Sequence, residues 1–358
     1  MSWVCPICSS NNDNENLRCS ICDCERPYEE PKFDIQSQIN NSKRTLFTKE
    51  KGEETSSSTK KKSPEPGLSI YNGLVVIDGI AMQYRGASKN VVFPDIPLKG
   101  INSHLFDDAE IETVIVPNDV QKIYTNAFHR CGKLKWVLFL GNIGSIEDNA
   151  FTDDHYNYPF LFFHQKQMPS SWGYDWRDYH FKPTWNVKDF YTDSYGDTFI
   201  LYNDMTAALF SYDEESTDFC FNGLVNEKYK LVEIFQGAFQ NHRNLKRVAL
   251  PNTIKKIGVD AFRACRSLED VLICEGADVR ICSDAFSSCS SLKEFVIPKT
   301  VKYIESSAFI FCNPKLKIYI KTSTKKIPKG WDKNWNVKDI GIFNIYKRYR
   351  HRWIEDYL

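Results

Sequence analysis

Apolar residues recur along most of this chain in one fixed order. The pair Ala-Phe stands at Ala127-Phe128, Ala150-Phe151, Ala238-Phe239, Ala261-Phe262, Ala285-Phe286 and Ala308-Phe309. A step of 23 residues separates the first two pairs, and steps of 23, 24 and 23 separate the last four. Three positions beyond the phenylalanine, four of the units carry a cysteine: Cys131, Cys265, Cys289 and Cys312. Next comes Leu-x-x-apolar-x-apolar, often closed by proline, as in Leu245-Lys246-Arg247-Val248-Ala249-Leu250-Pro251 and Leu292-Lys293-Glu294-Phe295-Val296-Ile297-Pro298. An apolar pair at Val-x-x-Ile spacing follows, as in Val301-Lys302-Tyr303-Ile304. The alternating segment predicts a short strand and Ala-Phe-x-x-Cys a helical or tight turn behind it. One such coil is too small to bury a core alone, so successive coils must stack into a solenoid with a parallel sheet. Alanine leaves room for the phenylalanine of the adjacent coil, the rings form an interior ladder, and the cysteine is a small buried residue beside them. Cysteines stacked about 5 Å apart could also form disulfides or hold a metal, but burial in the core is the preferred reading.

A longer repeat encloses the short one. Trp185-Asn186-Val187-Lys188-Asp189 returns as Trp335-Asn336-Val337-Lys338-Asp339, a shift of 150 residues. The openings correspond as well: Tyr71-Asn72-Gly73-Leu74-Val75-Val76-Ile77 is similar to Tyr195-Gly196-Asp197-Thr198-Phe199-Ile200-Leu201. Two tandem half-arrays are therefore expected, at 67–190 and 191–340, each with an atypical opening and a tryptophan-rich end that shields the last coil. Residues 341–358 place Phe343, Tyr346, Arg350, Trp353 and Tyr357 at helical steps, which predicts a C-terminal capping helix. With Lys347, Arg348, Arg350 and Arg352 it also reads as a basic amphipathic helix for a partner or an anionic surface. Residues 28–66 are polar and without period, the composition of a disordered linker. Lys60-Lys61-Lys62-Ser63-Pro64 within it reads as solubilising charge rather than an import patch.

The repeat resembles the BspA-type (Treponema-like) leucine-rich repeat, whose pattern is Ile-Gly-x-x-Ala-Phe-x-x-Cys-x-x-Leu-x-x-Val-x-Ile-Pro. The unit Ile257-Gly258-Val259-Asp260-Ala261-Phe262-Arg263-Ala264-Cys265-Arg266-Ser267-Leu268 carries the resemblance most fully. The resemblance implies a curved, sheet-lined binding surface, and many members of that family are cell-surface proteins. This chain opens Met1-Ser2-Trp3-Val4-Cys5, without the basic and apolar blocks of a secretory signal, and an intracellular, cytoplasmic protein is the expectation. No apolar run is long enough to span a membrane.

Five of the 12 cysteines crowd into residues 1–27. Cys5-x2-Cys8 and Cys19-x2-Cys22 form two knuckles whose four thiolates suit a tetrahedral Zn2+ ion. A segment this short cannot build a hydrophobic core, so metal binding would supply its folding free energy. Cys24 is a competing last ligand, and Cys22 completes the symmetric pattern. With Trp3 and Asn12 the segment resembles the Ran-binding-protein-type zinc finger, the NZF class; a generic zinc ribbon is the close alternative. The resemblance implies that Trp3 packs on the small hairpin and that Asn12 ties the knuckles together. Ubiquitin-binding members carry a Thr-aromatic pair where this chain has Ser9-Ser10. RNA-binding members carry arginines and a stacking ring where it has Asp13-Asn14-Glu15-Asn16-Leu17-Arg18. Protein docking or a purely structural role is therefore preferred, with RNA or ubiquitin binding as the alternative. With 46 basic and 46 acidic residues the chain has no global field to attract nucleic acid, which is not expected as a partner.

Phosphate-binding loops, zinc-protease helices and nucleophile elbows are absent from the sequence. The seven histidines (His104, His129, His155, His164, His180, His242 and His351) are scattered. His155, His164 and His180 share an aromatic stretch with Asp153, Asp154, Asp175 and Asp178, which reads as a polar insertion before a metal or acid–base site. The expected function is a non-enzymatic scaffold whose solenoid binds a protein partner of unknown identity. Strand periodicity turns Thr113, Trp136, Arg247, Asp270 and Glu294 to the concave side in one column, with Ile115, Leu138, Ala249, Leu272 and Val296 in the next. Thr113, Trp136, Leu138, Arg247, Asp270 and Glu294 are the candidate partner-binding residues.

Overall fold

The computed structural model describes residues 3–4, 11–12, 68–94, 96–151, 158–170, 172, 183–213, 216–221, 223–274, 276, 278–321, 328–335 and 341–344. The tetracysteine segment apart from its two short strands, the linker 28–66, and residues 345–358 lie outside the described residues. Compact packing divides the rest into two units, with the division between Asp189 and Phe190 and with Tyr202–Asp204 returning to the first unit.

In the first unit a back sheet opens with an antiparallel meander, Leu68–Tyr71, Leu74–Ile77 and Ile80–Tyr84. Parallel pairs then follow at Gly100–Ile101, Lys122–Ile123 and Ser145–Ile146. A front sheet stacks Asn90–Val92, Thr113–Val116, Trp136–Phe139 and Phe160–Phe163 in parallel, in the register Asn90, Thr113, Trp136, Phe160. Val114, Val116, Val137, Phe139, Leu161 and Phe163 point inward from the front, and Ile101, Ile123 and Ile146 from the back.

The second unit repeats the scheme. Its back sheet runs Val187–Thr192, Thr198–Tyr202, Thr206–Ser211, Tyr229–Ile234, Lys256–Ile257, Val279–Ile281 and Val301–Ile304, with Leu224–Val225 paired antiparallel to Tyr229–Ile234. Its front is two parallel groups: Asp218–Cys220, Arg247–Leu250 and Asp270–Ile273, then Glu294–Ile297, Lys317–Ile320 and Gly341–Asn344. The last strand corrects the expected start of the capping helix at 341. Gly341 lies opposite Lys317, so the segment falls in phase with the coil and adds a strand.

The rings form the predicted ladders. Phe128 stacks on Phe151 at 4.6 Å; in the second unit Phe239, Phe262, Phe286 and Phe309 follow one another at 4.7, 5.1 and 5.5 Å with nearly parallel planes. Backbone bonds join the same corners from coil to coil: the N–H groups of Phe128, Phe239, Phe262 and Phe286 donate to the carbonyls of Ala150, Ala261, Ala285 and Ala308 at 2.8–2.9 Å. One rung went unrecognised in the sequence. Leu105-Phe106 takes the Ala-Phe place, with Phe106 stacked on Phe128 at 5.1 Å. Each ladder also begins on a tyrosine, Tyr84 against Phe106 at 5.3 Å and Tyr212 against Phe239 at 4.7 Å.

Among the described residues no helix forms, which corrects the expectation of short helical turns. The cause is local. The residue before each pair is left-handed (Asn126, Asn149, Gly237, Asp260, Asp284 and Ser307), and so is the second residue after the phenylalanine at Arg130, Asn241, Ala264, Ser288 and Phe311. Two left-handed residues four positions apart interrupt any α-helical run, so the corner stays a chain of tight turns. Each array closes on a tryptophan pair: Trp172 and Trp185 at 5.8 Å, with Trp185 stacked on Phe163, and Trp331 and Trp335 at 5.0 Å.

Candidate binding surface

Several polar side chains of the coil join one coil to the next. On the back of the first unit the Glu147 carboxylate accepts hydrogen bonds from the N–H and hydroxyl of Thr125, at 3.0 and 3.1 Å, and pairs with Lys122 at 2.6 Å. Lys122, and then the Thr125 N–H, hold the Glu147 carboxyl below the usual range. Glu305 repeats the arrangement with Ser283 and Arg280 in the second unit.

The thiols are used in the same way. Cys131, Cys265, Cys289 and Cys312 donate to the carbonyls of Phe106, Phe239, Phe262 and Phe286 in the preceding coil, at 3.2, 3.0, 3.2 and 3.0 Å. Burial pushes the Cys265 thiol up to about 12, and the Cys312 thiol together with burial pushes Cys289 well up. All seven described cysteines are free thiols. Cys131, Cys265, Cys289 and Cys312 serve as small hydrogen-bonding residues of the corner, and the raised thiols of Cys265 and Cys289 lack the thiolate character that reactivity or metal ligation requires.

The candidate partner-binding residues lie on the outward face of the front sheets. In the first unit Asn90, Thr113, Trp136 and Phe160 form the outer column, and the Thr113 hydroxyl donates to the Asn90 side chain at 2.8 Å. Thr113, Trp136 and Phe160 are half-buried. In the next column Leu138 and its register neighbour Phe162 are fully buried and Ile115 nearly so, outside the main core cluster. Leu138 therefore offers no surface to a partner, a correction to its place among the candidate residues.

The face of the second unit is charged. Asp218, Arg247 and Asp270 are in register, and the Arg247 guanidinium grips Asp218 through Nε at 2.8 Å and through a second, shorter bond from Nη2. In the following group Glu294 lies opposite Lys317, and the Tyr319 hydroxyl donates to Glu294 at 3.4 Å. Burial, and then the Glu294 carboxylate, raise the Tyr319 hydroxyl above its ordinary value. Arg247, Asp270 and Glu294 are half-buried, whereas Ala249 and Val296 of the inner column are buried. The structure thus brings Arg247 and Asp270 side by side. It places Thr113 and Trp136 side by side in the other unit. Of the histidines in the polar insertion, His164 follows the Phe160–Phe163 strand, while His155 and His180 lie outside the described residues. No helix among the described residues is long and apolar enough to cross a membrane.

No curated protein sequence matches the chain. Among solved structures, a leucine-rich repeat protein from Bacteroides capillosus is 31% identical over 37% of this chain and 98% of its own, with a TM-score of 0.33. A leucine rich cell surface protein from Faecalibacterium prausnitzii is 18% identical, covers 80% of this chain and 97% of its own, and has a TM-score of 0.38. The T. pallidum leucine rich repeat protein is 24% identical over 36% of this chain and 70% of its own, at a TM-score of 0.30. The family described as BspA type leucine rich repeat region matches in six copies, over residues 67–161 and 219–342. Those segments hold more than half of the chain and both ladders of phenylalanines, and the chain belongs to the BspA-type leucine-rich-repeat family.

Proposed function

We propose that this protein is a non-enzymatic interaction scaffold. Its solenoid engages a protein partner through the outer columns of its front sheets, and an N-terminal zinc module serves as a second docking element. The observation that carries this reading is the variation of the outer columns on an otherwise repeated coil. Thiols, back-sheet carboxylates and backbone groups are engaged in joining coils, while the outer columns vary from aromatic to charged between otherwise equivalent positions. Variation on a repeated frame suits the recognition of a particular partner, with Trp136 and Arg247 the residue types that dominate protein interfaces. Asp270, Glu294 and Thr113 complete the two columns.

The zinc proposal rests on Cys5, Cys8, Cys19 and Cys22, which lie outside the described residues. Support comes from the flanking backbone: Trp3–Val4 pairs antiparallel with Asn11–Asn12, Trp3 opposite Asn12. This pairing closes a hairpin across the sequence that contains Cys5 and Cys8, an arrangement in which two thiolates can share one ion. Zn2+ there would fasten the segment to itself.

Both halves are testable on the full chain. A partner recovered by affinity capture should be lost on Trp136→Ala or Arg247→Ala and kept on Phe311→Ala, a change away from the columns. Retention through both column variants would refute the surface assignment. Purified protein should hold zinc that Cys5→Ser and Cys8→Ser remove, and equal zinc in wild type and variants would refute the metal module.

A further inference from the structure

One cluster of chemistry-bearing side chains belongs neither to the front columns nor to the cysteine segment. His104, Asp107 and His129 meet on the corner of the first unit, each offering a ligand atom within 4.8 Å of the others. His104 Nδ1 lies 2.9 Å from Asp107 Oδ2, and His129 Nδ1 lies 3.6 Å from the other oxygen, Oδ1. The two imidazoles approach edge to face with their centres 6.0 Å apart. The geometry points to a divalent transition-metal site, of the two-histidine, one-carboxylate type, that clips one coil to the next.

Three observations support this. First, the His129 Nδ1 atom is shielded from solvent and has no hydrogen-bond partner, although it faces the Asp107 carboxylate. A buried polar atom left in that state is costly unless something else satisfies it. Second, the frame is rigid. His104 and Asp107 sit on one corner and His129 on the next, and these corners are bonded to each other through His104 N–H to Asn126 O at 3.2 Å and Phe106 N–H to Ala127 O at 3.1 Å. His104 holds a left-handed backbone, which aims its ring across the corner. Third, the neighbouring acid does not compete for the role, because Asp108 pairs with Arg130 at 3.1 Å.

Tetrahedral zinc with bonds of about 2.0–2.1 Å sets its ligands about 3.3 Å apart. The two histidines stand 2.9 and 3.6 Å from the two oxygens of the one carboxylate, and with one oxygen taken as ligand all three ligand atoms lie within 4.8 Å of one another. Small side-chain rotations bring the set to that spacing, since His104 and Asp107 are exposed. Two imidazoles and a carboxylate suit Zn2+, Co2+, Ni2+ or Cu2+ better than Ca2+ or Mg2+. The coordination positions left over face solvent and are open to water or to a carboxylate of a bound partner. The equivalent corners of the second unit carry Gln240, Arg263, Ser287 and Ile310 where the first has Asp107 and His129, so the site occurs at this one place in the repeat.

The experiment uses full-length protein already supplied with one equivalent of Zn2+ for the cysteine segment, then titrated with Co2+ by calorimetry and by visible absorption. Wild type should take up one further equivalent. That equivalent should show weak visible bands without the intense near-ultraviolet absorption of thiolate-bound cobalt, which separates this site from any displacement of zinc from cysteines. His104→Asn, which accepts the left-handed backbone, and His129→Gln should each weaken that equivalent by at least about tenfold. Wild type that binds no further Co2+, or binds it only with the thiolate absorption, overturns the proposal on its own. Undiminished binding in both variants overturns it as well.

Discussion

Replacing Phe262 by alanine tests the solenoid where the stacking of coils is most complete. The ring is fully buried and lies between Phe239, at 4.7 Å and 13°, and Phe286, at 5.1 Å and 1°. Truncating a buried phenylalanine costs about 3–5 kcal/mol, a range that includes two ring–ring contacts of about 0.5–1.5 kcal/mol each. Domains of ordinary stability are held by about 5–15 kcal/mol, so this one change removes about a fifth or more of the total. In a stack of coils the loss falls on two interfaces, above and below the altered coil. Urea unfolding followed by far-ultraviolet circular dichroism should show a midpoint lowered accordingly. Hydrogen exchange should show the amides of Val248 and Val271, on the flanking strands, losing protection together. Phe311→Ala is the matched control, because that ring is 75% exposed and its loss should fall within about 0.5 kcal/mol of zero. If Phe262→Ala cost no more than Phe311→Ala, the ring column would not be what holds the coils together, and the reasoning from period to fold would fail.

Other outcomes follow from single residues. Phe311→Gly should stabilise the protein by about 0.5–1 kcal/mol, read as a rise in Tm, because an exposed aromatic residue at φ +57° occupies a conformation that glycine adopts without strain. Gly141→Ala should destabilise by about 1–3 kcal/mol, since a Cβ there would stand 2.1 Å from the backbone oxygen of Asn118 in the preceding coil. Native protein treated with a thiol reagent should react at exposed Cys220 and spare Cys265 and Cys289 until it unfolds. The Cys265 thiol is raised to about 12 from an ordinary 9.0, so the folded state keeps its proton longer than the unfolded chain does. The stability this contributes is complete below about pH 9 and declines as pH rises towards 12. Alkaline denaturation curves should therefore be shallower for Cys265→Ala than for wild type.

The repeat was readable because each coil must bury the same face against its neighbours. That constraint writes itself into the chain as Ala-Phe, cysteine and Leu-x-x-Val at fixed intervals. From it came the solenoid of stacked parallel strands, the phenylalanine ladders and the tryptophan pairs. The helical turns were misjudged because Ala-Phe-x-x-Cys has helical spacing, while the left-handed residues on either side of it carry ordinary side chains such as Arg130, Ala264 and Phe311 that announce nothing. Leu105-Phe106 was missed because leucine stands where alanine was sought, although a step of 22 residues to Phe128 would have found it. Tertiary structure alone decided three further matters. It buried Leu138 and made donors of the cysteine thiols towards the preceding coil. It also brought His104 and Asp107 to His129, residues 22 or more apart in sequence that share a corner only once the coils are stacked. Periodicity reports which side of the chain faces inward, because burial is a property of every coil. Where particular polar atoms meet depends on the phase of one coil against the next, and that phase exists only in the folded stack.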